Sequence, residues 1–235
     1  MQKQKPKVGL SRNHMNNTHA TKRELLRMLI KHRGFEPAVD PSVFVAPTAV
    51  LVGRVRVSKD SRIMYGAVLD SEGSEVKIGE CSIICENAVI RATESGDREH
   101  PVLIGNNVFV SPHATLLGCT IEPCVYIATG VTVLHGAVIH SGAVVAVGAF
   151  VHARTVVPSE FFVPPNTIAI GDPVKLFSPD QKDALADAIK ANRFAETAFG
   201  IDAGWEDRIL RYTQTTEVRS KEFGSHFGDI VKEEK

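Results

Sequence analysis

The sequence predicts a mainly β protein built as a parallel β-helix, and two observations carry the prediction. Across residues 104–151 an aliphatic side chain returns every sixth position with a single slip: Ile104, Val110 and Leu116, then Ile121, Ile127, Val133, Ile139, Val145 and Val151. The same phase runs earlier through Val45, Leu51, Val57, Ile63 and Leu69, and again through Ile78, Ile84 and Ile90. Neither the twofold period of an ordinary strand nor the 3.6-residue period of an amphipathic helix fits such lengths, whereas stacked solenoid coils require a six-residue repeat.

Composition narrows the classes. With 43% hydrophobic residues in a 25.5 kDa chain there is ample material for a buried core. Twenty-seven basic side chains balance twenty-seven acidic ones, so no net field attracts a polyanion and nucleic acid is not an expected partner. No stretch approaches the roughly 20 apolar residues of a membrane span, and no secretory signal is expected. The four cysteines, Cys81, Cys85, Cys119 and Cys124, lack the spacing of zinc ribbons or redox motifs and are read as buried, reduced thiols of a cytoplasmic protein. Cys85 and Cys119 differ in their repeat offsets and have no histidine partner in the pattern, so neither is read as a nucleophile.

Taken in order, residues 1–40 read as a basic arm followed by a helix. Nine lysines and arginines precede Gly34 against the single acid Glu24, which leaves organellar targeting open beside the flexible-arm reading. Thr21 and Glu24 form a capping box, the apolar LLRMLIKH follows, and Gly34 ends the helix, whose exposed apolar face must dock on the solenoid or on another subunit. Residues 41–177 form the β-helix domain. Its phase is interrupted at DSEGSE (70–75) and at the charged RATESGDREHP (91–101), both read as surface loops. After Val151 the repeat is expected to fade as prolines and glycine turn the chain away. Residues 178–235 are read as helical, with an N-cap and capping-box glutamine in Ser178-Pro179-Asp180-Gln181 opening a helix over 179–200. A second helix is expected over 205–212, with Trp205, Ile209 and Tyr212 on one face, followed by a charged, loosely held tail.

The stretches FVAPTAVLVGRV, AVLDSEGSEVKIG, IGNNVFVSPHATLLGCTI and GDPVK occur in an order that resembles the γ-class carbonic anhydrase family, within the larger group of hexapeptide-repeat, acyltransferase-like proteins. The resemblance covers roughly residues 40–190. It implies a left-handed β-helix of three short parallel strands per turn, a C-terminal helix lying along it, and a homotrimer. It also implies a zinc ion held between subunits by three histidines, and those positions are here Arg91, Pro112 and Leu117. None of the three can ligate a metal, and catalytic zinc needs three protein ligands beside its water. An arginine there also opposes the ion: a unit pair at about 4 Å is worth roughly 4 kcal/mol at an effective dielectric near 20, and a dication doubles it.

The accompanying family positions have changed as well. Asp70 and Glu72 stand where the family has an arginine and an aspartate, and Cys85 and Glu86 replace its glutamine and aspartate. Asp70 is expected to pair with Arg91, within or between subunits. No metal or cofactor is therefore expected. His135 and His140 repeat the spacing of the lost pair, but counting hexads places His135 above Leu117 and His140 on another face, so both are read as solvent-facing or interface histidines.

Two function classes follow. The first is a non-catalytic binding or assembly trimer lacking the zinc site, with a protein partner docking through the terminal helices. The second is a coenzyme A-dependent acyltransferase with His113, and after it His135, as candidate general base, against which count the missing long excursion loop and acceptor cluster. An active carbonic anhydrase would need a relocated metal.

Overall fold

The computed structural model describes residues 28–95 and 98–232. Successive short strands rotate among three sheets, so that each turn of the chain adds one strand to each face of a parallel β-solenoid. Face 1 has ten strands, face 2 and face 3 seven each. On face 1 the two outermost strands, Lys175–Phe177 and Ile230–Val231, pair antiparallel and the eight between them are parallel.

The hexad residues are the interior of the rod. Leu51, Leu69, Ile90, Leu116, Val133 and Val151 align strand by strand on face 1. Val57, Ile78, Ile104, Ile121 and Ile139 do so on face 2, and Val45, Ile63, Ile84, Val110, Ile127 and Val145 on face 3. All are buried and form one continuous core. Each contributes about 1.5–3 kcal/mol of apolar burial, and the column is continuous because the next coil supplies the lid for the last.

A left-handed backbone residue recurs at the corners: Gly130, Gly136, Gly142 and Gly148 in the central run, then Arg154, Glu160 and Asn166. His113 and Cys124 are corner residues of the same kind, at φ +60° and +62°. The slip from six to five residues between Leu116 and Ile121 is absorbed at Gly118, where φ is +50° and a Cβ would come within 2.5 Å of the His100 side chain.

Several expectations are corrected. Met28–Lys31, assigned to the N-terminal helix, is a strand: it pairs parallel with Val50–Val52 and places Leu29 in register with Leu51. Pairing to an open solenoid edge outweighs local helix propensity, which is a weak prior. Residues 1–27, including the Thr21–Glu24 capping box, lie outside the described residues. The repeat does not fade after Val151: Val157, Val163 and Ala169 continue the inward column at six-residue spacing and are fully buried. The tail is not loose either. Gly224–Gly228 forms a 3₁₀ turn and Ile230–Val231 returns to pair with Met28–Lys31.

The predicted helix over 179–200 is two helices, α1 (Lys182–Asn192) and α2 (Phe194–Phe199), separated by Arg193 at φ +50°. Arg193 closes α1 by donating its N–H to the Lys190 carbonyl, and ion pairs with Glu196 and Asp202 brace the break. Gln181 does reach back to the Ser178 N–H at 2.7 Å, as the capping box requires. Helix α3 (Arg208–Phe223) starts three residues after Trp205, capped by Asp207, and runs far beyond Tyr212. Of the residues expected to share one face, Ile209 and Tyr212 are exposed, and the buried residue of α3 is Arg211. Cys85 and Cys119 are buried, the latter with its thiol pushed up to about 12 by burial, but Cys81 and Cys124 are exposed at corners.

Candidate functional site

The alternation of strand residues places one outward column on face 1 in the order Val52, Asp70, Arg91, Leu117, each the register partner of the next. A parallel ladder holds such neighbours close enough for side-chain pairing. Arg91 uses that proximity: its guanidinium lies 3.3 Å from Asp70 and 3.4 Å from Glu72, so the expected Asp70–Arg91 pair forms within one chain. Glu72 comes from the DSEGSE loop, where Asp70 accepts a hydrogen bond from its backbone N–H.

Helix α3 covers this group. Arg219 donates two hydrogen bonds to Glu72, at 2.8 and 3.0 Å, and one to Glu222 at 2.5 Å. Burial opposes the charge of Arg219, but the two carboxylates outweigh it and raise the guanidinium pKa above its ordinary value. The Phe223 ring lies under both cations, 4.3 Å from the Arg219 guanidinium carbon and 5.4 Å from that of Arg91. Two arginines thus sit between buried carboxylates and an aromatic face, an arrangement suited to clamping the helix onto the solenoid.

A second cluster continues from it. His226 lies 3.9 Å from Asp70 and stacks on His32 at 4.3 Å between ring centroids. Asp229 bridges both imidazoles, at 2.5 Å to His32 and 2.9 Å to His226. Burial raises the Asp229 carboxyl, and hydrogen bonds from His226 and His32 more than reverse this, leaving it below the ordinary value. Possible ligand atoms of His32, His226 and Asp229 lie within 4.8 Å of one another. The rings, however, are only 22° from parallel, so in-plane lone pairs run alongside rather than converge on one point, and one ring would have to turn to share a cation.

The remaining sequence-predicted residues stand apart. Cys85, Glu86 and Pro112 lie at the corners where face 3 ends. Cys85 donates its backbone N–H to Val110, Glu86 accepts from the His113 N–H, and Pro112 accepts from Gly130. Among the described residues no hydrogen bond or ion pair joins them to Arg91. Burial raises the Cys85 thiol, helped by the neighbouring Glu86. The donor chemistry at Arg91, Pro112 and Leu117 does not fit zinc: a guanidinium, a proline ring and an isobutyl group offer no lone pair to a cation.

The histidines divide differently from expectation. His113 is exposed, and among the described residues its ring has no hydrogen-bond partner. His140 is held at 2.9 Å by Glu122 on face 2, away from the Arg91 column, as expected. His135 is neither solvent-facing nor beside Leu117. Pairing of Leu116 with Val133 sets Leu134 there and shifts His135 alongside Gly118, one place from the count. It is 2% exposed, ringed by His100, Phe194 and Phe199, and neither ring nitrogen has a partner. Burial, with smaller contributions from His100 and Arg219, pushes its pKa down to about 3. The charged 91–101 excursion explains the enclosure: its hairpin, Thr93–Ser95 with Arg98–His100, clasps α2 through Arg98 to the Glu196 carbonyl and His100 to the Thr197 carbonyl.

This architecture is that of a hexapeptide-repeat solenoid. No family model matches the chain. Among curated relatives, "Gamma carbonic anhydrase 1, mitochondrial" of Arabidopsis thaliana is 37% identical over 105 residues, 44% of this chain and 38% of that protein. "Gamma carbonic anhydrase 3, mitochondrial" of the same plant is 37% identical over 123 residues, 52% and 46% respectively. The chain thus spans less than half the length of the curated relatives it matches first. A solved hexapeptide transferase family protein from Anaplasma phagocytophilum is 23% identical, with a TM-score of 0.40 over 71% of this chain and 97% of that one. The sequence relatives support a γ-carbonic-anhydrase-like, hexapeptide-repeat family for the chain.

Proposed function

We propose that the protein is a non-catalytic member of that group, a trimeric binding or assembly module without zinc at the family position. The observation that supports the reading is the Asp70–Glu72–Arg91–Arg219 network: Arg91, at a position where the resemblance implies a zinc ligand, is paired with two carboxylates, and a second cation, Arg219 from α3, pairs with Glu72. The test is elemental analysis of tag-free protein together with carbon dioxide hydration before and after zinc addition. Absence of metal and of activity is expected; near-stoichiometric zinc with hydration activity sinks the proposal.

The trimer belongs to the same proposal. Face 3 presents Phe109, Tyr126 and Phe162 outward, 37%, 44% and 55% exposed, along a flat ladder that a second copy would cover. Light scattering that returns a stable monomer at micromolar concentration removes this part. A protein partner is assigned to the exposed apolar residues of α3 and the tail, among them Ile209 and Phe227. Acyl transfer through His113 shares the fold, but among the described residues the base has no orienting partner, and that reading is not carried further. Among the described residues no helix is long and apolar enough to cross a membrane. A cytoplasmic location is proposed from the unpaired thiols, with mitochondrial location, suggested by the relatives' names, as the outcome of imaging that would replace it.

A further inference from the structure

The three C-terminal helices line a cavity of about 460 Å³ that includes neither the Arg91–Arg219 network nor the His32–His226–Asp229 cluster. Its walls include His152, Phe194, Phe199, Trp205, Arg211 and Tyr212. The volume lies within the range of small-molecule pockets, and the lining joins aromatic and aliphatic walls to several charged groups, among them Lys190, Arg193, Glu196, Asp202 and Arg211.

The charges around it do not cancel. Glu196 and Asp202, the carboxylates in the lining, are both taken by Arg193, at 2.6 and 2.8 Å. Arg211 is 8% exposed as a residue; among the described residues its guanidinium makes no ion pair or side-chain hydrogen bond, and its nitrogens, which are not fully buried, open onto the cavity. Its guanidinium carbon lies 5.0 Å from the Trp205 ring centroid and 5.2 Å from that of Tyr212. Lys190, from α1, stands 5.7 Å from the other partner of that sandwich, the Trp205 ring. His152 is buried at the solenoid wall, and burial holds its pKa below the ordinary value, so it adds no positive charge. The two aromatic faces hold the guanidinium in place, and its planar fork of donors faces the cavity rather than a carboxylate of the protein. A carboxylate is the partner that fork matches bidentately.

We infer that this cavity is a binding site for a small aromatic carboxylate, its anion taken by Arg211 with Lys190 at the rim, and its ring seated among Phe194, Phe199 and Trp205. The site is independent of the zinc question and of the oligomeric state.

Trp205 is the only tryptophan of the chain, so its fluorescence reports occupancy without a label. The full chain is titrated with sodium 3-phenylpropionate and, in parallel, with the neutral 3-phenylpropionamide of the same shape. A saturable change is expected with the carboxylate, with affinity about tenfold or more above that for the amide. Arg211→Gln is expected to lose about tenfold in carboxylate affinity while leaving the amide unchanged, and Arg211→Lys, which keeps charge but not the fork, to lose less. Equal affinity for acid and amide on the unaltered chain overturns the proposal, as does no saturable response up to about 10 mM. The acid–amide comparison needs no variant, so a folding failure of Arg211→Gln leaves the test decisive.

Discussion

Replacing His135 with phenylalanine should remove an acid sensitivity that is built into the solenoid wall. The ring is almost wholly buried against His100, Phe194 and Phe199, neither nitrogen is hydrogen-bonded, and its pKa falls from 6.5 to about 3 on folding, with burial as the main cause. A histidine whose folded pKa is depressed is neutral in the native state, so the folded chain resists a proton that the unfolded chain takes up. The resulting stability is complete above pH 6.5 and is lost as the pH falls from there towards 3. Integrated from pH 7 to pH 5, the loss is about 2 kcal/mol, or roughly 4–8 °C in melting temperature for a chain of this size. His135→Phe abolishes that increment and, by removing two unsatisfied buried nitrogens, should raise stability at pH 7 by about 1 kcal/mol. Urea denaturation of both proteins at pH 7 and pH 5 measures it, because titrations common to both cancel in the difference. If the variant loses as much stability between pH 7 and pH 5 as the parent does, His135 is not the buried neutral base described and the reasoning fails.

Other perturbations probe other elements. Arg219→Ala strips Glu72 of its paired donors and leaves it only Arg91; about 2–4 kcal/mol should be lost, and hydrogen exchange over α3 should accelerate before that of the rod, as amide exchange with mass detection would show. Since folding raises the Arg219 pKa from 12.5, that contribution is present at all pH below it, and the effect should be equal at pH 6 and pH 8. Leu116→Ala opens a cavity at a fully buried position between Ile90 and Val133, at a cost of about 2–5 kcal/mol in chemical denaturation. Of the four thiols, Cys81 and Cys124 should react with a maleimide in the native protein and Cys85 and Cys119 only after unfolding, which intact-mass measurement counts directly.

The rod was legible because its signal is local and repeated. Each coil buries the same phase, so residues as far apart as Val45 and Val151 report the same fact, and even the one-residue slip at Gly118 left the later phase readable. Asp70 and Arg91 could be paired in advance because register follows from counting coils. The same count misplaced His135 by one position, since a shortened corner moves every later offset. Arg219, Phe223, His226 and Asp229 had no readable signal at all: their partners lie 147 or more residues away, in the case of Arg219 with Glu72 and of Asp229 with His32, and a charged tail looks solvated until the surface it meets is known. Met28–Lys31 was misread for a related reason. A strand of four residues is defined by the edges available to it, and one of its two partners is the returning tail.

A stack of parallel coils has, in its hydrogen bonding, no inherent last member: the edge of the final turn offers what the edge of every earlier turn offered. Here both ends of face 1 finish in a strand running the opposite way, Lys175–Phe177 beyond Ile168–Ile170 and Ile230–Val231 beside Met28–Lys31. A further molecule arriving end to end would meet a reversed donor and acceptor pattern instead of the parallel one its own first coil needs. The reversals act as terminators of polymerisation. On face 1 they oppose end-to-end addition, at both ends of a repeat that could otherwise propagate along that face.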